Sequence, residues 1–288
     1  MSQTTSQPPA PDANLLPKTV NGVRLTILAK NLKILSLQGL AIVDDQIIVP
    51  TIDGEIIAVN AIGAVKPLTN LLTVELGVPF GICAIDSGVV VTVSGFDPVH
   101  YLVKVSADGK HETIADLSEI SGTYGAPFGV AAYDDGFIVA GTTDVISGDG
   151  ALFRVTQQGQ ITEVVGLKQF GNALDVVVHR GQFITLHENG DLLRIAPTGE
   201  VTVLANLVQS GLGIPFKLTT QADNFLVTTN TGQVVRVDSV GKPVAIVELP
   251  RPTYSVPSGI ALWGDDLIVS TMNGYLLRLQ TDSNAKPD

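Results

Sequence analysis

Cysteine is almost absent from these 288 residues: Cys83 is alone, so no intrachain disulfide can form and nothing marks the chain as built for an oxidising compartment. A thiol without a partner is expected to be inert core. There is also no unbroken apolar run of about 18 residues, the length a membrane-spanning helix requires, so no membrane partner is expected. Basic residues are scarce, with 17 Lys and Arg against 28 Asp and Glu and a formal net charge of -11. Polyanions are held by clustered Lys and Arg, which excludes nucleic acid as the expected partner. Residues 1–18 are rich in Ser, Gln, Thr and Pro and lack the basic and apolar regions of a secretory signal. They read as a disordered polar tail on a soluble, cytoplasmic protein, and residues 280–288 read as a second tail.

What remains is an apolar, turn-rich chain, 45% hydrophobic with 29 Gly and 16 Pro, in which one pattern recurs six times. A small residue opens an apolar run, a polar turn follows, and a second apolar run ends the motif. The openings are Gly39, Gly81, Gly129, Asp175, Lys217 and Gly259, spaced 42, 48, 46, 42 and 42 residues apart. A later strand in each copy ends in a fixed pair: Ala58-Val59, Lys104-Val105, Arg154-Val155, Arg194-Ile195, Arg236-Val237 and Arg278-Leu279. Five positions after the first of each pair, in five copies, stands Gly63, Gly109, Gly159, Gly199 or Gly241. Eight positions later stands Leu71, Leu117, Leu167, Leu207 or Leu249.

Each copy holds four short strands rich in Val, Ile, Leu and Thr, with no helical period of appreciable length. Pairs such as Asp53-Gly54, Asn189-Gly190 and Asn273-Gly274 tolerate the positive φ of tight hairpins. Four antiparallel strands per 40 to 45 residues is the arithmetic of a β-propeller blade. The fold expected is all-β, a six-bladed propeller over residues 19–279. The sixth copy lacks its fourth strand, and the segment 23–32 resembles the outer strand of copy four. The N-terminal strand is therefore expected to close the last blade and remove the open edges.

The motif of Arg, an aliphatic residue, three residues and Gly before an outer strand resembles the six-bladed propellers of the NHL-repeat and gluconolactonase (senescence-marker-protein) superfamily. Its hydrolytic members hold a divalent metal in the central channel with Glu, Asn and Asp side chains just before the small opening residue. Here those positions are Gln38, Phe80, Phe128, Leu174, Phe216 and Ser258. A hard cation needs six to eight oxygen ligands, so no metal site is expected; a shift of register at Asn172 and Asp175 would restore two ligands only. No cofactor is expected.

In this topology the starts of the inner strands share a face, the mouth, with the turns between second and third strands. Three Pro-Phe pairs recur there, and Phe80, Phe128 and Phe216 would form either an apolar collar for a flat ligand or a plug. Asp175 and Lys217 replace Gly on adjacent blades, either orienting a ligand or serving as a base of depressed pKa, or simply pairing as half-buried charges. His187, followed by Glu188-Asn189, and His100-Tyr101 offer acid/base groups, although a histidine in a hairpin turn is usually solvated. Longer mouth loops at 94–100 and 142–150, with the link 118–126 carrying Tyr124, would rim a site. The repeated basic residues lie one per blade and read as structural. The turns at Asp44-Asp45, Asp86, Asp134-Asp135 and Asp265-Asp266 fall on the opposite face as solubility charges. These features point to a propeller binding an apolar or aromatic small molecule, or a protein on one face. The alternatives are a metal-independent enzyme using His187, Asp175 or Lys217 on an aromatic or apolar substrate, and a gluconolactonase-like hydrolase with an atypical site.

Overall fold

A strand can bury both faces only where a sheet covers each of them, and it then reads as a continuous apolar run. Gly88–Ser94 and Gly136–Thr142 are such strands, buried along almost their whole length, whereas His111–Asp116 and Ile161–Gly166 are largely exposed. The gradient runs from the middle of each sheet outward. The computed structural model describes residues 18–20, 22–35, 37–95, 99–118 and 125–281. It is a six-bladed β-propeller of antiparallel sheets, five with four strands and one with five. The inner strands, Ala41–Val43, Val78–Ile85, Ala126–Tyr133, Ala173–His179, Pro215–Gln221 and Pro257–Trp263, touch one another in a closed ring.

The sixth blade is composite, as expected. Val23–Ala29 lies against Leu276–Thr281 with Leu25 opposite Leu279 and Ile27 opposite Leu277. Leu25, Ile27, Leu277 and Leu279 share one buried cluster with Ile260 and Val269 of the same blade. A further strand, Lys18–Val20, pairs outside it, beginning at the last residue of the stretch that composition assigns to the polar tail. At the seam with blade one, Trp263 Nε1 donates to Asp45 Oδ1 at 3.2 Å, and the Arg278 guanidinium lies 5.4 Å from the Trp263 ring centre.

The recurrent Gly and Leu have separate physical causes. Gly63, Gly109, Gly159, Gly199 and Gly241 have φ between 79° and 88°, and a Cβ on any of them would fall 3.1 Å or less from a carbonyl oxygen of the preceding blade's outer strand. They permit the hairpin and the blade contact at once. Leu71, Leu167, Leu207 and Leu249 end their outer strands by donating backbone N–H to Gly54, Gly150, Gly190 and Gly232, and Leu32 does the same to Gly274 in the composite blade. Leu71, Leu117, Leu167, Leu207 and Leu249 are fully or almost fully buried.

Candidate functional site

Every inner strand has a hydrogen-bonded neighbour on one side only, so its other edge turns unpaired N–H and C=O groups toward the channel. Near its start, the inner strand of each of blades two to six carries a β-bulge at the Pro-Phe or equivalent position, where pairing skips between Pro79 and Ile82, Pro127 and Gly129, Ala173 and Asp175, Pro215 and Leu218, and Pro257 and Ile260. A bulge releases backbone groups from the ladder. In three blades a buried hydroxyl on the second strand takes up the freed N–H: Thr92 for Gly81, Thr228 for Lys217 and Ser270 for Gly259, at 2.8 to 3.2 Å. The sequence reading missed these three residues. Their signal is a hydroxyl eleven positions after the opening residue, inside a buried strand.

Asp175 and Lys217 sit at this neck and meet across it. Lys217 Nζ lies 3.3 Å from Asp175 Oδ1, 2.9 Å from the Phe128 carbonyl and 3.3 Å from the Leu174 carbonyl. Asp175 Oδ2 accepts the Leu218 N–H at 2.9 Å. The two are 8% and 2% exposed, so they are fully buried rather than half-buried. Burial raises the Asp175 carboxyl and lowers the Lys217 ammonium, each opposed by the other's charge. An ammonium has three donors and no acceptor; Lys217 faces three acceptors, which fits the protonated form and leaves no donor for a ligand.

Below this crossing the channel widens into a cavity of about 480 Å³ toward the hairpins that join first and second strands. Asp175 and Lys217 form its floor, and its walls include Ala84, Ala132, Val178, Thr220 and Leu262. Cys83 also lines it and is half-buried, not sealed in the core. Desolvation pushes its thiol up to about 12, which keeps it protonated. Phe80, Phe128 and Phe216 do not line the cavity. Phe80 and Phe128 meet edge to face at 6.3 Å on the other side of the crossing, with Phe128 buried and the other two half-buried. This cavity is thus on the face of the acidic hairpins, away from the expected mouth.

His187 is 0% exposed, not solvated. Its Nδ1 lies 3.3 Å from the Gly171 carbonyl, and its Nε2 lies 3.0 Å from Thr185 Oγ1. The carbonyl can only accept, which puts the proton on Nδ1 and makes Nε2 the acceptor of the Thr185 hydroxyl. Desolvation pushes this histidine down to about 4. No hydrogen bond among the described residues joins it to Asp175 or Lys217. Glu188 instead accepts from buried Asn172 at 2.8 Å, and Asn189 donates to Asp191 at 2.7 Å. His100 is also buried, at the start of the third strand of blade two, and Tyr101 beside it is half-buried. Tyr124 lies outside the described residues.

The donor set does not fit the metal that the resemblance implies. Of the six positions, only Gln38 and Ser258 have polar side chains. Gln38 is committed to the Pro79 carbonyl and the Leu35 N–H, and Ser258 Oγ to Ser270 Oγ. Among the described residues no three His, Cys, Asp or Glu side chains are grouped to hold an ion, and no helix is long and apolar enough to cross a membrane.

No family model and no curated protein matches the chain. Many solved structures share its fold. A Bacteroides thetaiotaomicron protein of unknown function superposes with a TM-score of 0.71 at 13% identity, over 90% of this chain and 76% of that one. An oxidoreductase (glucose dehydrogenase) structure from Thermus thermophilus gives 0.67 at 13% identity, over 90% and 100%. Virginiamycin B lyase from Staphylococcus aureus gives 0.58 at 16% identity, over 84% and 79%. At these identities the likeness is one of fold, and fold does not imply function.

Proposed function

We propose that this chain is a non-catalytic binding propeller that holds a small molecule with an apolar body in its channel cavity. The observation that carries this reading is saturation: Lys217 has three acceptors for three donors, Asp175 uses both oxygens, and His187 uses both ring nitrogens. General acid–base catalysis needs a group within reach of the substrate and free to exchange a proton. None of these three groups is free to do so. A cavity of about 480 Å³ is of the size that encloses a small ligand. Its walls offer aliphatic contact from Ala84, Ala132, Val178 and Leu262 and hydrogen bonding from the free strand edges. Phe80, Phe128 and Phe216 act as the plug at the other end.

Native mass spectrometry of gently purified protein tests this reading. An organic adduct that survives EDTA and disappears from Ala132→Trp, whose indole fills the channel, is the expected result. An adduct retained by that variant would move the ligand out of the channel, and a mass lost on EDTA would overturn the metal-free reading.

A further inference from the structure

A second depression, about 530 Å³, lies between blades two and three at their outer strands, away from the channel. The corresponding groove between blades one and two holds about 110 Å³. Ile85, Ile114 and Phe137 give the larger groove an apolar floor. Around it stand one ammonium, Lys104, two carboxylates, Asp86 and Glu112, and two carboxamides, Gln157 and Gln158. None of these five side chains makes a hydrogen bond or ion pair with another described residue.

Lys104 differs from three of its repeat equivalents, Arg154, Arg194 and Arg278, and among the described residues shares its lack of a partner with Arg236 alone. Arg154 pairs with Asp134 and Asp135 and lies 5.5 Å from the Tyr133 ring centre, while Arg278 pairs with Asp266 and lies over Trp263. Arg194 reaches the Ser239 carbonyl. In blade two the aromatic position is Ile85, which offers no π face. Lys104 and Glu112 are cross-strand partners in register, yet they form no ion pair within bonding distance. Opposite charges are thus held apart around an apolar floor, with amide donors on the facing blade.

We propose that this groove binds a zwitterionic α-amino compound with an apolar side chain. The carboxylate is taken by Lys104 and the Gln157 and Gln158 amides, the ammonium by Asp86 and Glu112, and the side chain rests on Ile85, Ile114 and Phe137. A ligand with one charge satisfies only half of the ring. The site is independent of the channel.

The test uses the full chain with L-phenylalanine and L-leucine, and with 2-phenylethylamine and 3-phenylpropionate as single-charge controls, in calorimetry and amide chemical-shift mapping. Saturable binding of the two amino acids is expected, with each control at least tenfold weaker and shifts centred on residues 85–87, 112–114 and 157–158. Lys104→Met should weaken L-phenylalanine at least tenfold with an unchanged melting temperature. Equal binding of the controls, an unaffected Lys104→Met, shifts centred on the channel, or no saturable binding of either amino acid would each overturn the proposal.

Discussion

Buried charges are decided by their partners, and at residue scale Lys217 and Asp175 behave as a fastener between blades three, four and five. Removing one member of a buried pair strands the other's charge, which typically costs roughly 3–5 kcal/mol. Lys217→Met is therefore expected to lower unfolding stability by about that amount in urea titration, and Lys217→Met with Asp175→Leu to recover most of it. Gly129 faces the same pair: a Cβ there would stand 2.7 Å from Asp175 Cα and 2.8 Å from its Oδ1. His187 supplies a pH dependence. Its folded pKa of about 4 lies below the ordinary value of 6.5, so the unfolded chain binds the proton first. The contribution is whole above pH 6.5 and declines as pH falls toward 4, by roughly 3 kcal/mol at most. His187→Gln should flatten that part of the stability profile; an unchanged slope between pH 6.5 and 4 would assign it to other groups.

Elements repeat because the same backbone problem is solved in each blade, and this governs what the sequence reveals. Gly109 is forced by a φ of 86° and by the Leu68 carbonyl against it, so its spacing shows in the chain. Gly109→Ala should lower stability by about 1–3 kcal/mol, readable as a reduced melting temperature. The composite blade was legible for the same reason, since the sixth copy stops one strand short. Removing residues 1–32 takes away Val23–Ala29 and leaves Leu277 and Leu279 uncovered; aggregation or loss of the folding transition is expected by light scattering and circular dichroism. The bulges behind Thr92, Thr228 and Ser270 were harder to read, because a hydroxyl eleven positions after the opening residue recurs in only three of the six copies, with Pro50, Ala140 and Leu186 in the others. The side of the channel that holds the cavity was hidden too. It depends on where the Lys217 ammonium reaches on blades three and four, which no periodicity encodes.

For the whole molecule, the charge of -11 is unevenly engaged. On the cavity's face Asp134 and Asp135 meet Arg154, Asp223 meets Arg180 and Asp266 meets Arg278, so several residues expected only to aid solubility also form ion pairs. The exposed pairs among them, those of Arg154 and Arg180, contribute little, about 0–1 kcal/mol each, and the ring relies on blade packing and closure. A ring closed by its own terminus has no blade that can leave without opening a seam, so unfolding is expected as one transition by every probe. Trp263 bears on this directly. It is the chain's only tryptophan, and its indole N–H is held by Asp45 across the joint between the last blade and the first. The protein thus carries an intrinsic fluorophore at its latch, and its emission spectrum reports, without labelling, whether the circle is shut.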